Sequence, residues 1–331
     1  MSMNRVASAC LALAGVIVTC GTSVAQQTTK IPRIGIMING GPGPVVEALK
    51  RDFAKAGYVE GQTIAFEPRY AEGQLGRHPE LAADLARLDV DAILTLGGPA
   101  SRAAKDATSK IPIVFSIVTD PVALGLVASM EKPGGNATGL TNLDPQQAAK
   151  QMELLKETFP DLKRIAILSD QDIPGADASG LAPIERSNVA AARALGLEPQ
   201  VIKLKGPTPD IDGAFAAMKS ESAQAVLVLE VPVTLVRGKL IAERATAQRL
   251  PTMFPGGQKS AEGVIAYGTT VADTWPRMPI IADRILKGAK PGDIPVEVIS
   301  RRQLIINLKT AAEAGVSIPA GVLARADEVI R

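Results

Sequence analysis

The chain has 331 residues, of which 46% are hydrophobic, 21% charged and only 3% aromatic, with a formal net charge of +2. That length exceeds a usual single core and predicts two domains. Near-neutral charge and scarce aromatics exclude a strong nucleic-acid field and a broad base-stacking surface.

The N-terminus reads as an export signal. Arg5 precedes the apolar run VASACLALAGVIVTC (6–20), and Ser23-Val24-Ala25 offers a small-residue cleavage site before Gln26. The run is short for a membrane span. Lipid attachment at Cys20 is the alternative to cleavage after Ala25. Both cysteines, Cys10 and Cys20, fall in this segment, so the exported chain carries no thiol and no disulfide. His78 is the single histidine and lies away from the predicted strand ends. His-based triads, His-cluster metal sites and thiol nucleophiles drop out of the function classes, and no metal or cofactor is expected.

Strand and helix signals then alternate. RIGIMI (33–38) predicts a buried strand, and Val45, Val46, Leu49 and Phe53 follow with helical spacing up to a stop at Gly57. TIAFEPRY predicts a strand, Leu81, Leu85 and Leu88 a helical face, and DAILTL a strand that runs into Gly98-Pro99 at a helix start. IPIVFSIV predicts the next strand, after which Asp120 caps a helix opened by Pro121. The second half repeats the plan through RIAIL (164–168), a helix ending at Gly196, PQVIKL, AVLVLE, LPTMF and the helices between them. Gly57 and Gly196 are 139 residues apart, and so are Pro112 and Pro251. Equal offsets at two landmarks suggest two copies of one βα topology. Alternation of this kind predicts an α/β fold of two doubly wound parallel-sheet domains, with ligands beyond the carboxyl ends of the strands. The glycine-rich PGGNATGLTN (133–142) is a candidate hinge or an ordinary turn.

Several strand-end motifs have the chemistry of a binding site. GGPGPV (40–45) lacks the G-x-G-x-x-G spacing, and its prolines remove amide donors, so it is not a nucleotide loop. GGPAS (97–101) starts a helix whose free amides, beside Ser101, suit an anion, or it is a plain cap. Ser116 and Thr119 end a strand. Asp170, Glu230 and Gly256-Gly257 occupy the matching ends in the second half. Tyr267 offers a ring and a hydroxyl, or packs. Trp275, with Met278, Ile281 and Ile285 at helical spacing, reads as core. Asn136-Ala137-Thr138 matches a glycosylation sequon.

GYVEGQTIAFEPRYAEG, HPELAADLARLDVDAILTLGGPAS, IPIVFSIVTDPVALGLVASMEKPGGNATGLTN, ILKGAKPGDIPVE and INLKTAAEAGVSIP together resemble solute-binding proteins of ABC transporters of the TrpX-like group, with a type I periplasmic-binding-protein fold. The resemblance implies three crossings between domains: 31–140 plus 269–298, and 141–268 plus 299–331. It implies a ligand between them, held by Asn39, Gly40, Gly98, Pro99, Ala100, Ser101, Ser116, Thr119, Thr141 and Asn142, facing Asp170, Glu230, Gly256, Gly257 and Tyr267. The expected solute is an aromatic amino acid or related carboxylate, delivered to an inner-membrane permease by a periplasmic monomer. Where relatives have an acid after the LVL strand, this chain has Val231, with Glu230 one residue earlier. The segment SDQDIPGADASGLAP (169–183) also departs from the group's pattern. The alternatives are an exported sensing domain for a membrane receptor and a two-domain cleft enzyme.

Overall fold

The computed structural model describes residues 31–331 except 142–144, 174, 207, 257–262 and 270–273. The expected export signal, Asn142 and Gly257 lie outside the described residues.

The short apolar runs pair into two sheets. The first contains β1 (Arg33–Ile38), β2 (Ala65–Tyr70), β3 (Ala92–Leu96), β4 (Ile113–Val118), β5 (Ala137–Thr141) and β11 (Glu297–Val298). The second contains β6 (Arg164–Asp170), β7 (Glu198–Leu204), β8 (Ala225–Val228), β9 (Thr252–Phe254), β10 (Ile265–Gly268), β12 (Gln303–Asn307) and β13 (Glu328–Ile330). The helices are α1 (Pro44–Lys55), α2 (His78–Arg87), α3 (Gly98–Ala107), α4 (Pro145–Thr158), α5 (Pro183–Ala194), α6 (Ile211–Ser220), α7 (Pro232–Ala247), α8 (Arg277–Leu286), α9 (Leu308–Glu313) and α10 (Ala320–Leu323).

The two sheets share a strand order. The first runs β11-β5-β4-β3-β1-β2 and the second β13-β12-β10-β9-β8-β6-β7, so β1–β5 and β6–β10 take the same places. The equal offsets in the sequence have this origin: Gly57 and Gly196 follow equivalent helices, and Pro112 and Pro251 precede equivalent strands. The first sheet is parallel throughout. The second departs from the all-parallel expectation, because β12 pairs with β10 antiparallel. An antiparallel strand at this side needs no crossover helix, so the chain can enter directly from β11. By sheet membership the chain passes from the first sheet to the second after β5, returns after β10, and passes over again after β11.

Helices cover both faces of the first sheet. On one face Ile34, Ile36, Leu94 and Val114 pack with Leu49 of α1 and with Met278 and Ile281 of α8. On the other, Met37, Ile93 and Phe115 pack with Leu85 of α2 and Ala104 of α3. The second sheet has a continuous core that includes Phe215, Met218, Ile241 and Phe254.

Four local expectations change. Residues 121–126 form turns rather than a helix, and Asp120 accepts the amides of Val122 and Ala123 at 3.1 and 2.9 Å. Trp275 precedes α8 in a turn and packs half-buried on the α1/α8 face. The candidate hinge segment contains β5, so half of it, Ala137–Thr141, is sheet. Asn136 is no open sequon: its amide donates to the carbonyls of Thr108 and Ile111 at 3.0 and 2.8 Å and its oxygen accepts from Lys105 at 2.7 Å.

Candidate functional site

In an open parallel sheet, the crevice forms at the carboxyl edge where strand order reverses. That point lies between β1 and β3 in the first sheet and between β6 and β8 in the second. The two are built alike but filled differently.

In the second sheet, Asp170 at the end of β6 turns its carboxylate onto backbone amides. It accepts Val233 N at the start of α7 at 3.2 Å and Asp172 N at 2.9 Å. The side chain is buried, and burial pushes its pKa up despite these two bonds. The N-terminus of α7 thus already holds a carboxyl group from its own chain. Glu230, also buried, lines a small cavity with Gln147, Gln151, Asn188 and Pro255, between α4, α5 and the ends of β8 and β9. Val231, which stands where an acid was anticipated, is buried at the N-cap of α7.

In the first sheet, the residue after β1 is neutral. Asn39 lies beside Gly97, where a Cβ would come within 3.0 Å of its Nδ2. Its Oδ1 is buried with no partner among the described residues. Helix α3 opens at Gly98 with Pro99 in its first turn, and the remaining first-turn amides face the carboxyl edge. Gly98 and Pro99 are half-buried and Ala100 is fully buried. This helix start is the open counterpart of the one that Asp170 fills.

The other candidate residues differ in what their side chains already hold. Thr119 is half-buried just after β4. Ser116 is fully buried, and its hydroxyl has no partner among the described residues. Ser101 is a support: it is fully buried, bonds Thr95 Oγ1 at 2.8 Å and donates to Gly97 O at 2.7 Å. Thr141 is another, its hydroxyl donating to Val118 O at 2.6 Å. Gly256 is a close-approach glycine, since a Cβ there would meet Gly268 O at 2.2 Å. Gly40 is exposed beside the end of β1. Tyr267 is half-buried against the second core, and its carbonyl accepts Gln151 Nε2 at 2.9 Å. Ser101→Ala is therefore expected to lower stability by about 1–2 kcal/mol while leaving ligand affinity within twofold. Urea unfolding beside calorimetry separates the two effects.

Sequence reading missed the buried amides of α4 and α5. Asn188 donates from Nδ2 to Ile184 O at 2.9 Å, while its Oδ1 and Gln147 Oε1 have no partner among the described residues. The one available signal was Gln147 and Gln151 at helical i, i+4 spacing. His78 also differs from expectation. It starts α2 and so stands near the carboxyl edge of the first sheet, but it is fully buried. Burial lowers its pKa, and neither ring nitrogen has a partner among the described residues. An enclosed neutral ring of this kind is not placed to exchange protons with a ligand. Among the described residues no group of three or more His, Cys, Asp or Glu could hold a metal, and no helix is long and apolar enough to cross a membrane.

Comparison with known proteins agrees with this construction. The family model described as ABC transporter substrate binding protein matches residues 41–330. A tyrosine-binding protein of Clostridioides difficile (strain R20291) is 25% identical over 277 residues, covering 81% of this chain and 76% of the relative. A conserved domain protein from Vibrio cholerae superposes with a TM-score of 0.80 at 24% identity, covering 91% of this chain and all of that one. An ABC domain from Streptococcus pneumonia in complex with L-Trp superposes with a TM-score of 0.78, also at 24% identity, covering 90% of this chain and 99% of that one.

Proposed function

We propose a function from one premise: the chain belongs to the ABC transporter substrate binding protein family. Its fold is that of the type I periplasmic binding proteins. On our reading it captures a small organic solute outside the cytoplasm, closes on it, and hands it unaltered to a membrane permease. The closing lobes are 31–140 with 269–298, and 141–268 with 299–331. The solute is an aromatic amino acid or a related carboxylate, a class supported by the relative named for tyrosine binding.

The observation that carries this reading is the contrast between the two switch points. The start of α3 is open to an anion, whereas the start of α7 is occupied by Asp170. A carboxylate therefore binds at the first sheet, beside Asn39, Ser116 and Thr119. The rim of the second sheet meets the solute with less charged groups, Val231 among them. Closure is supported by one contact between the two rims: a Cβ on Gly175, after β6, would stand 2.7 Å from the Cβ of Ala123, after β4. A ligand that touches both rims favours the state in which they meet, by its difference in affinity for the two states.

A thermal-shift screen of aromatic amino acids and aromatic carboxylates, followed by calorimetry, tests the proposal. At least one compound is expected to bind with its chemical structure unchanged on recovery. Thr119→Val is expected to weaken that compound about tenfold without changing the unfolding midpoint. A compound recovered in converted form, or no stabilising compound at all, defeats the reading.

A further inference from the structure

Strand β4 is broken in a particular way. Phe115 pairs with Gly139 and Val118 with Thr141, so three steps along β4 match two along β5. One extra residue is therefore accommodated between them, which is a β-bulge. Ile117, inside it, has φ +56°. A β-branched residue at positive φ is a genuine outlier, because its Cβ crowds the backbone.

The bulge also reverses which side chains face which helices. Ile113 and Phe115 belong to the α2/α3 face and Val114 to the α1/α8 face. Simple alternation would send Ile117 to the α2/α3 face and Val118 to the other. Instead Val118 is buried on the α2/α3 face, while Ile117 packs half-buried against the α1/α8 face. Ile117 thereby takes the side that alternation assigns to Ser116, whose buried hydroxyl lacks a partner among the described residues.

Two neighbours hold this shape. Gly139 lets β5 lie against the bulge, since a Cβ there would be 2.0 Å from Phe115 O. Thr141 fastens the outgoing strand through bonds to Val118 O at 2.6 Å and Thr119 O at 3.2 Å.

We propose that Ile117 is a specificity-determining residue, held in a strained left-handed conformation by Gly139 and Thr141 so that it forms an apolar wall beside the Ser116 hydroxyl in the solute site. This rests on the capture reading above. Strain of this kind persists where the surroundings over-determine it, and it collects at binding sites. The wall takes the hydrocarbon part of a solute whose polar group reaches Ser116 and the start of α3.

The test compares Ile117→Gly with Ile117→Ala in the full exported chain. Both remove the wall, but only glycine relieves the positive φ. Elsewhere in a strand alanine is the more stable of the two. Here Ile117→Gly is expected to melt about 2–5 °C above Ile117→Ala. Both variants are expected to lose about tenfold or more in affinity for whichever of L-tyrosine, L-tryptophan, 3-(4-hydroxyphenyl)propanoate and indole-3-propanoate stabilises the native chain most. Ile117→Val, which keeps a branched wall, is expected to stay within threefold. An alanine variant melting at or above the glycine variant overturns the strain. Native affinity in both truncated variants overturns the wall. If none of the four probes stabilises the native chain, the proposed solute class fails and the wall falls with it, whereas the melting order still decides the strain.

Discussion

Gly139→Val is expected to cost the protein about 3 kcal/mol or more, if it folds at all. Overpacking a core with extra methylenes usually costs about 1–3 kcal/mol, because side chains can turn aside. At Gly139 the obstacle is backbone: a Cβ would lie 2.0 Å from Phe115 O and 2.7 Å from Phe115 N. Those atoms belong to the ladder between β4 and β5 and can yield only if the bulge opens. Opening it would release the carbonyls of Val118 and Thr119 from Thr141 and disturb the carboxyl edge where the solute is proposed to bind. The loss should therefore appear both as a lower urea midpoint and as weaker binding in whatever fraction folds. The second sheet solves the same place differently: Ala266 stands opposite Phe254 where Gly139 stands opposite Phe115, and the close approach there comes beyond β9, where a Cβ on Gly256 would meet Gly268 O at 2.2 Å. A Gly139→Val protein with a native midpoint would mean that β4 and β5 do not approach as described.

The duplicated fold was legible because it depends on signals local in sequence. Apolar runs, glycine stops and x-Pro strand starts place most of β1–β10, and even their spacing between halves survives in Gly57/Gly196 and Pro112/Pro251. The carboxyl-edge location of the proposed site rests on the same signals. What each side chain does there did not. Ser101 and Thr119 look equivalent in sequence, yet Ser101 is consumed by Thr95, a partner on another element, while Thr119 is left half-exposed. Asp170 and Glu230 look equivalent as candidate ligand contacts, yet the carboxyl of Asp170 accepts the amide of Val233, 63 residues away, while Glu230 lines a small cavity between α4 and α5. The bulge at Ile117 was hidden inside an unremarkable IVFSIV, and its only trace in the sequence is a glycine in the neighbouring strand. Tertiary partners decide these roles, and periodicity carries no record of them.

Lys203→Met is expected to destabilise the protein by about 3 kcal/mol, although the lysine is itself a quarter exposed. Its ammonium lies 2.8 Å from Glu185 Oε2, and Glu185 is completely buried. Removing the lysine leaves a buried carboxylate near Asp170, whose own pKa is raised chiefly by burial and also by the charge of Glu185. Truncating one partner of such a pair costs more than the pair contributes, because the survivor keeps its desolvation penalty. The second change Glu185→Gln removes that charge while keeping an acceptor for Ala182 N, which Glu185 holds at 2.7 Å. The double variant should recover most of the loss, and a double-mutant cycle in urea measures the coupling. Equal losses in the single and double variants would show that the ion pair is not what Lys203 supplies. Binding should weaken as well. Lys203 also donates to Gly180 O at 2.6 Å, and Arg186 donates to Leu181 O at 2.6 Å and Gly175 O at 3.3 Å. Together they tie down the segment that carries Gly175 against Ala123 on the opposite rim. Loosening that segment raises the entropy lost on closure. Lys203→Met should thus bind solute more weakly than its altered stability alone requires, with faster hydrogen exchange across residues 175–182.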